Sequence, residues 1–99
     1  MEIIKEFKDS KLNVIVKGQI DTMTAPDLEK EVLKDLPKAE EIVLDLLNVD
    51  YVSSAGLRVL LGLHKKQKDK NRTLLLKNVN ADVMTILEMT GFTSFLKIN

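Results

Sequence analysis

Leu12, Val14 and Val16 alternate with Asn13, Ile15 and Lys17, and strict alternation gives a strand one apolar face. Ile3–Phe7 is a second strand-like run, and the turn-forming "KDSK" between the two predicts a hairpin. Gly18 is expected to end its second strand. The period then changes. Leu28, Val32, Leu33 and Leu36 fall at helical spacing, with Thr24 as the expected N-cap, Pro26 inside the first turn and Pro37 as the stop. Ile42–Leu46 is apolar except for Asp45, which suits a strand covered on both faces in a parallel sheet.

Beyond it, "VDYVSSAGLRVLLGLHKK" opens a helix at the serines. Leu57, Leu60 and Leu61 mark its inner face, and Val59 and Leu63 widen it. "RTLLLKN" predicts a short strand and "NADVMTILEMTGF" a third helix. Val83, Ile86 and Leu87 turn inward there, Gly91 sits at the left-handed C-terminal position, and Phe92 closes over it. "SFLKIN" supplies a last short strand.

The order β-β-α-β-α-β-α-β implies one α/β domain over residues 1–99. It predicts right-handed crossovers, parallel core strands and an antiparallel element from the initial hairpin. Three strand-to-helix loops, Asp21–Thr24, Val52–Ala55 and Asn78–Asn80, then share the carboxyl edge of the sheet, where open α/β sheets build their sites.

Composition narrows the chemistry. Fifteen basic and fifteen acidic residues cancel, so whole-chain charge gives no pull toward nucleic acid or an anionic membrane. The local cluster Lys65-Lys66-Gln67-Lys68 reads as a solvated helix face. Cysteine is absent and His64 is the lone histidine, which removes disulfides, thiol chemistry and His- or Cys-based metal sites. No apolar run is long enough for a membrane span, and "MEIIKEFKD" has no signal-peptide core. The expected location is the cytoplasm.

Ser53-Ser54 is the candidate site. Ser53 is placed as N-cap of the second helix, with Val52 and Leu57 as the ends of a hydrophobic staple. Ala55 and Gly56 are small enough for the helix start to press on neighbouring backbone. Ser54 falls at the first helical position, where the helix dipole tolerates a phosphate, and Arg58 follows one turn later on the same face. A catalytic serine would need a base within hydrogen-bond reach. His64 is ten residues along the same helix, roughly 15 Å away at 1.5 Å per residue. The four glycines are scattered singly and build no phosphate loop. Asp21, Asp45 and Asp50 read as turn and strand-end residues rather than a magnesium cluster. Asp45, in an apolar strand, needs a hydrogen-bond partner if it points inward. No catalytic residue, cofactor or metal ligand emerges.

"VKGQIDTMTAPDLEKEV", "EIVLDLLNVDYVSSAGLRVLLGLHKK" and "LLLKNVNADVMTILEMTGFTSFLKI" resemble successive segments of the STAS domain of bacterial anti-sigma factor antagonists. The resemblance implies an α/β fold with a mixed sheet. It also implies a partner, an anti-sigma factor with GHKL-type serine kinase activity, which the unphosphorylated antagonist binds so that a sigma factor is released. ATP-dependent phosphorylation of the antagonist ends the complex, and a PP2C-type phosphatase restores it. The family's acceptor motif is Asp-Ser, then a small residue, Gly and Leu. Ser54-Ala55-Gly56-Leu57 fits it and makes Ser54 the expected acceptor.

Ser53 stands where the family usually has Asp. Both residues cap helices, but the negative charge is gone, and Ser53 is the alternative acceptor. The resemblance places Asp21, Met23 and Thr24 beside the acceptor on the partner-binding surface, with Met23 as a core residue the other reading. Asn78 and Asn80 join that surface from the third loop, and Arg58 from the second helix. A phosphorylation-independent STAS module, serving a lipid-transport ABC complex or a signalling scaffold, is the alternative function.

Overall fold

A computed structural model describes residues Met1–Asn99. β1 (Glu2–Lys8) and β2 (Lys11–Ile20) form the expected hairpin. α1 (Ala25–Asp35), β3 (Glu41–Val52), α2 (Ser54–Asp69), β4 (Thr73–Lys77), α3 (Ala81–Met89) and β5 (Lys97–Ile98) follow in alternation. The five strands lie side by side in sequence order. Only the β1–β2 pair is antiparallel. The fold class read from the pattern is borne out.

The alternation in β2 buries Leu12, Val14 and Val16 completely, and their parallel partners Ile42 and Leu44 continue that layer into β3. Val43, on the opposite face, is also buried, but its neighbours there, Asn13, Ile15, Asp45 and Leu75, are only half-buried, because all three helices pack on the Leu44 face; the strand is not covered on both sides as expected. α1 sets Leu28 and Val32 on this core and α2 adds Leu57, Val59, Leu60 and Leu63. Leu33, expected inside, is exposed, because Leu28 and Val32 already fill the inner face of α1. Lys5 of β1 reaches Asp35 at 2.8 Å and Glu31 at 3.2 Å, tying the hairpin to α1. The Asp35 carboxylate, with Glu31 behind it, holds the Lys5 ammonium above its ordinary value. None of the helices is long and apolar enough to cross a membrane.

Gly18 does not end β2. It stays paired with Val49 at φ 111°, between two register shifts in the β2–β3 ladder. Those shifts also carry β3 six residues past Leu46. Each irregularity gives β3 an extra residue, so the buried positions fall at Leu46, Val49 and Val52. A spacing of three hides a strand from a period-two search.

Thr24 precedes α1 but its side chain does not cap the helix. Its hydroxyl donates to the Gln19 carbonyl at 2.6 Å and accepts from the Asp21 N–H at 2.9 Å. Gln67 is likewise no part of a solvated face. It is fully buried, and its amide donates to the carbonyls of Ala39 and Thr73, while Lys65, Lys66 and Lys68 around it are exposed.

Candidate functional site at the carboxyl edge of the sheet

β2, β3 and β4 run parallel, so their exits into α1, α2 and α3 share one edge. Backbone and side-chain bonds join the three exits. The Ser53 N–H donates to the Ile20 carbonyl at 2.8 Å, which sets the start of α2 against the residue before Asp21. The Asn80 amide donates to the Val49 carbonyl. Asn78, in the left-handed region at φ 58°, reaches Asp45 at 3.1 Å.

The first exit is a polar knot. One Asp21 carboxylate oxygen accepts from the N–H groups of Met23 and Thr24, both at 2.9 Å. The Asp21 carbonyl accepts from Ala25 at 2.8 Å and so feeds the chain into α1. A short carboxylate closing such a turn on the backbone ahead of it is the usual role of Asp there. The Thr24 N–H, with the Met23 N–H adding to it, holds the Asp21 carboxyl below its ordinary value. Met23, at the crown of this knot, is 82% exposed and so does not belong to the core.

The second exit is built by close approach. A Cβ on Gly56 would lie 2.8 Å from Ile20 Cγ2, from the Ile20 carbonyl oxygen and from Val52 Cγ1. Only glycine lets the first turn of α2 settle that near β2 and β3. Ser53 caps the helix, its hydroxyl accepting from the Gly56 N–H at 3.2 Å. Val52 and Leu57, the two ends of the expected staple, are both buried. Ala55 is half-buried against the core.

Ser54 is different from its neighbour. It is the first residue of α2, exposed, and its hydroxyl makes no hydrogen bond within the protein. Arg58, one turn on, is exposed and forms no ion pair.

At the third exit the polar groups are taken up internally. Asn80 caps α3, its side-chain oxygen accepting from the Val83 N–H at 2.9 Å. Asp45 accepts from both Asn78 and the Leu47 N–H at 3.1 Å. Asp45 does not point inward: it lies on the face opposite the buried Leu44 and Leu46, where an asparagine from the neighbouring strand exit bonds it near the surface. His64 is half-buried and packs its ring on Phe95 at 5.3 Å, on the second half of α2.

Two residues at this edge were not singled out by sequence. Leu47 and Tyr51, on the extended part of β3, are 61% and 46% exposed. Once Leu46, Val49 and Val52 are assigned inward, they are the apolar residues left over, and that was the available signal.

Residues 2–99 match the STAS domain family profile. The anti-sigma-B factor antagonist of Listeria monocytogenes is 34% identical over 97 residues, covering 96% of this chain and 84% of that protein. Structures of the Bacillus anti-sigma factor antagonist SpoIIAA share the fold at 11% identity. The unphosphorylated form superposes with a TM-score of 0.81 over 99% of this chain and 87% of its own. The phosphorylated form gives 0.78 over 99% and 91%. Sequence segments, strand order and relatives agree, and the chain belongs to the STAS-domain family of anti-sigma factor antagonists.

Proposed function

We propose that the protein is a cytoplasmic, non-enzymatic switch that binds an anti-sigma factor with its carboxyl edge and is turned off by phosphorylation of Ser54. The observation that carries this reading is the contrast between adjacent hydroxyls. Ser53 is committed to capping α2, whereas Ser54 is exposed with its hydroxyl free. Phosphorylation of Ser53 would remove the cap; phosphorylation of Ser54 adds to a helix N-terminus that favours negative charge.

The partner in this reading is an anti-sigma factor with GHKL-type serine kinase activity, as the family resemblance implies. Met23, at the exit next to Ser54, gives it apolar contact area, Leu47 and Tyr51 extend that area along β3, and Asp21, Thr24, Asn78 and Asn80 hold the strand exits in place. The Ser54 hydroxyl oxygen attacks the γ-phosphorus of ATP, its proton passes to a base of the kinase, and ADP leaves. The product carries about two added negative charges in the middle of the docking surface. A partner seated there loses its contacts. Arg58 is within a helical turn and takes the phosphate as its counter-charge. A PP2C-type phosphatase hydrolyses the ester and restores docking.

The deciding experiment is intact mass and peptide mapping after incubation with ATP and the serine kinases of the source organism. One added phosphate on Ser54, absent from Ser54→Ala and retained in Ser53→Ala, supports the switch. Kinase binding without phosphate transfer would make the protein a constitutive antagonist, a result that the missing acid at Ser53 would explain. Neither binding nor transfer would turn the reading to a phosphorylation-independent module of a transport or scaffold assembly.

A further inference from the structure

A groove of about 160 Å³ opens between the second half of α2 and strands β4 and β5, away from the carboxyl edge. Its nearest lining residue on α2, His64, is ten residues beyond Ser54, roughly 15 Å along the helix. Leu74 and Phe95 supply an apolar wall, and the cations Lys68, Arg72 and Lys97 line the rest together with His64 and the Thr73 hydroxyl. No carboxylate lines it, in a chain whose charges sum to zero. The ion pairs of the protein use Lys5, Lys11 and Lys34, so all three groove cations are free of a counter-charge.

Two of the lining groups are fixed in place. Arg72 Nη1 donates to the Pro37 carbonyl at 2.9 Å, with the Leu36 and Ala39 carbonyls at 3.4 Å, which pins the guanidinium. Phe95 packs on Phe92 at 5.0 Å and on His64 at 5.3 Å, which holds the ring wall. Three cationic residues border one cavity with no carboxylate among its lining residues, so an anion there meets no competing acid. With Nη1 held by those carbonyls, the remaining N–H groups of Arg72 suit phosphate or carboxylate, and lysine adds point charge.

Size sets the other limit. The cavity, at about 160 Å³, lies well below the ~300 Å³ where pockets for drug-sized ligands begin. A small ligand is enough to fill it. We propose that the groove binds a small phosphate monoester, its phosphate among Lys68, Arg72 and Lys97 and a compact flat group against Phe95.

The test is a ¹H–¹⁵N chemical-shift titration of the full chain with phenyl phosphate, inorganic phosphate and phenol in parallel. The expected result is saturable shifts confined to residues 64–74 and 95–97 with phenyl phosphate. Weaker shifts at the same residues are expected with inorganic phosphate, and none with phenol. Lys68 and Lys97 are exposed and unpaired, so the double variant K68Q/K97Q keeps the spectrum of the fold while raising the Kd at least tenfold. Phe95→Leu should abolish the advantage of phenyl phosphate over phosphate. Shifts spread over lysines elsewhere, no saturation, or an unchanged Kd in the double variant would overturn the proposal. So would a response to an oligoglutamate peptide alone, which would make the groove a seat for an acidic protein segment.

Discussion

Asp21–Thr24 and Val52–Gly56 do the same job at the same edge, turning a parallel strand into a helix, and they are held by opposite means. The first is fastened by hydrogen bonds: one carboxylate oxygen on two backbone amides, and a threonine hydroxyl bridging Gln19 and Asp21. The second has a single side-chain bond and relies on steric fit, with Gly56 pressed on Ile20 and Val52. The difference decides what each loop leaves free. The polar knot uses up its polar groups and exposes an apolar side chain, Met23; the close-packed junction buries its apolar groups and exposes a hydroxyl, Ser54. Side by side they present an exposed methionine and an exposed serine at one edge of the sheet.

The comparison breaks most sharply at Gly56. Gly56→Ala gains up to about 1 kcal/mol in helix propensity, but its Cβ meets backbone and side chains that have little room to give, and overpacking of this kind costs roughly 1–3 kcal/mol. The expected net is a loss, read as a fall in Tm of several degrees. Gly62→Ala, where no neighbouring atom lies within 4 Å of the added Cβ, is expected to raise Tm by a few degrees, since alanine in a helix interior is better by roughly 0.5–1 kcal/mol. Equal effects of the two substitutions would remove the close approach from the account.

Asp21→Ala comes next. It orphans the amides of Met23 and Thr24, with an expected cost of about 1 kcal/mol, within the range for a lost cap. Hydrogen exchange at those two amides should accelerate while exchange in α2 stays unchanged. Exchange that rises in both loops together would show one cooperative edge rather than two independent devices.

Within the second junction the serines should separate. Ser53→Ala is expected to cost about 1 kcal/mol as a lost N-cap. Ser54→Ala, at an exposed position without partners, should stay within about 0.5 kcal/mol of the parent. Thermal melts of both variants decide this, and a large loss at Ser54 would make that residue structural.

The smallest effect is acid dependence. The Asp21 carboxyl, held first by the Thr24 N–H, sits below its ordinary value in the folded protein. Its contribution is therefore complete above the unfolded pKa and is lost as pH falls through the folded one. Glu31, lowered chiefly by Lys34 and then by Lys5, acts in the same direction. A melt series on the acid side should show a shallower decline for Asp21→Asn than for the parent, and an identical decline would remove Asp21 from the acid limb.

Much of this was legible in the chain. The hairpin, the three helices and the order of strands follow from period and punctuation, because each element buries one face and keeps its polar residues out. The Ser53 cap and the first-turn position of Ser54 were legible for the same reason, since both depend on residues adjacent in sequence. The end of β3 was not, because extra residues opposite β2 put Leu46, Val49 and Val52 at a spacing of three. Thr24 was assigned a capping role, but its hydroxyl is taken up by Gln19 and Asp21 in the turn ahead of α1, a competition for one hydroxyl that only the fold resolves. Gln67 looked like part of a lysine face, and its burial depends on the carbonyls of Ala39 and Thr73, far away or across a turn. The unsuspected exposure of Leu47 and Tyr51 follows from the irregular β2–β3 register.

The simple spatial order of the strands has a kinetic meaning. Every strand pairs with the one before it in sequence, so no strand waits for a distant segment before it is seated. The hairpin closes over a two-residue turn, and each following helix-and-strand unit docks on an edge already present. Yet three of the four pairings are parallel and close over a helical crossover, Lys11 with Glu41 for example, and non-local pairings of this kind form more slowly than a hairpin. The hairpin is therefore expected to form first, and the pace of the parallel crossovers sets how soon the whole carboxyl edge is assembled.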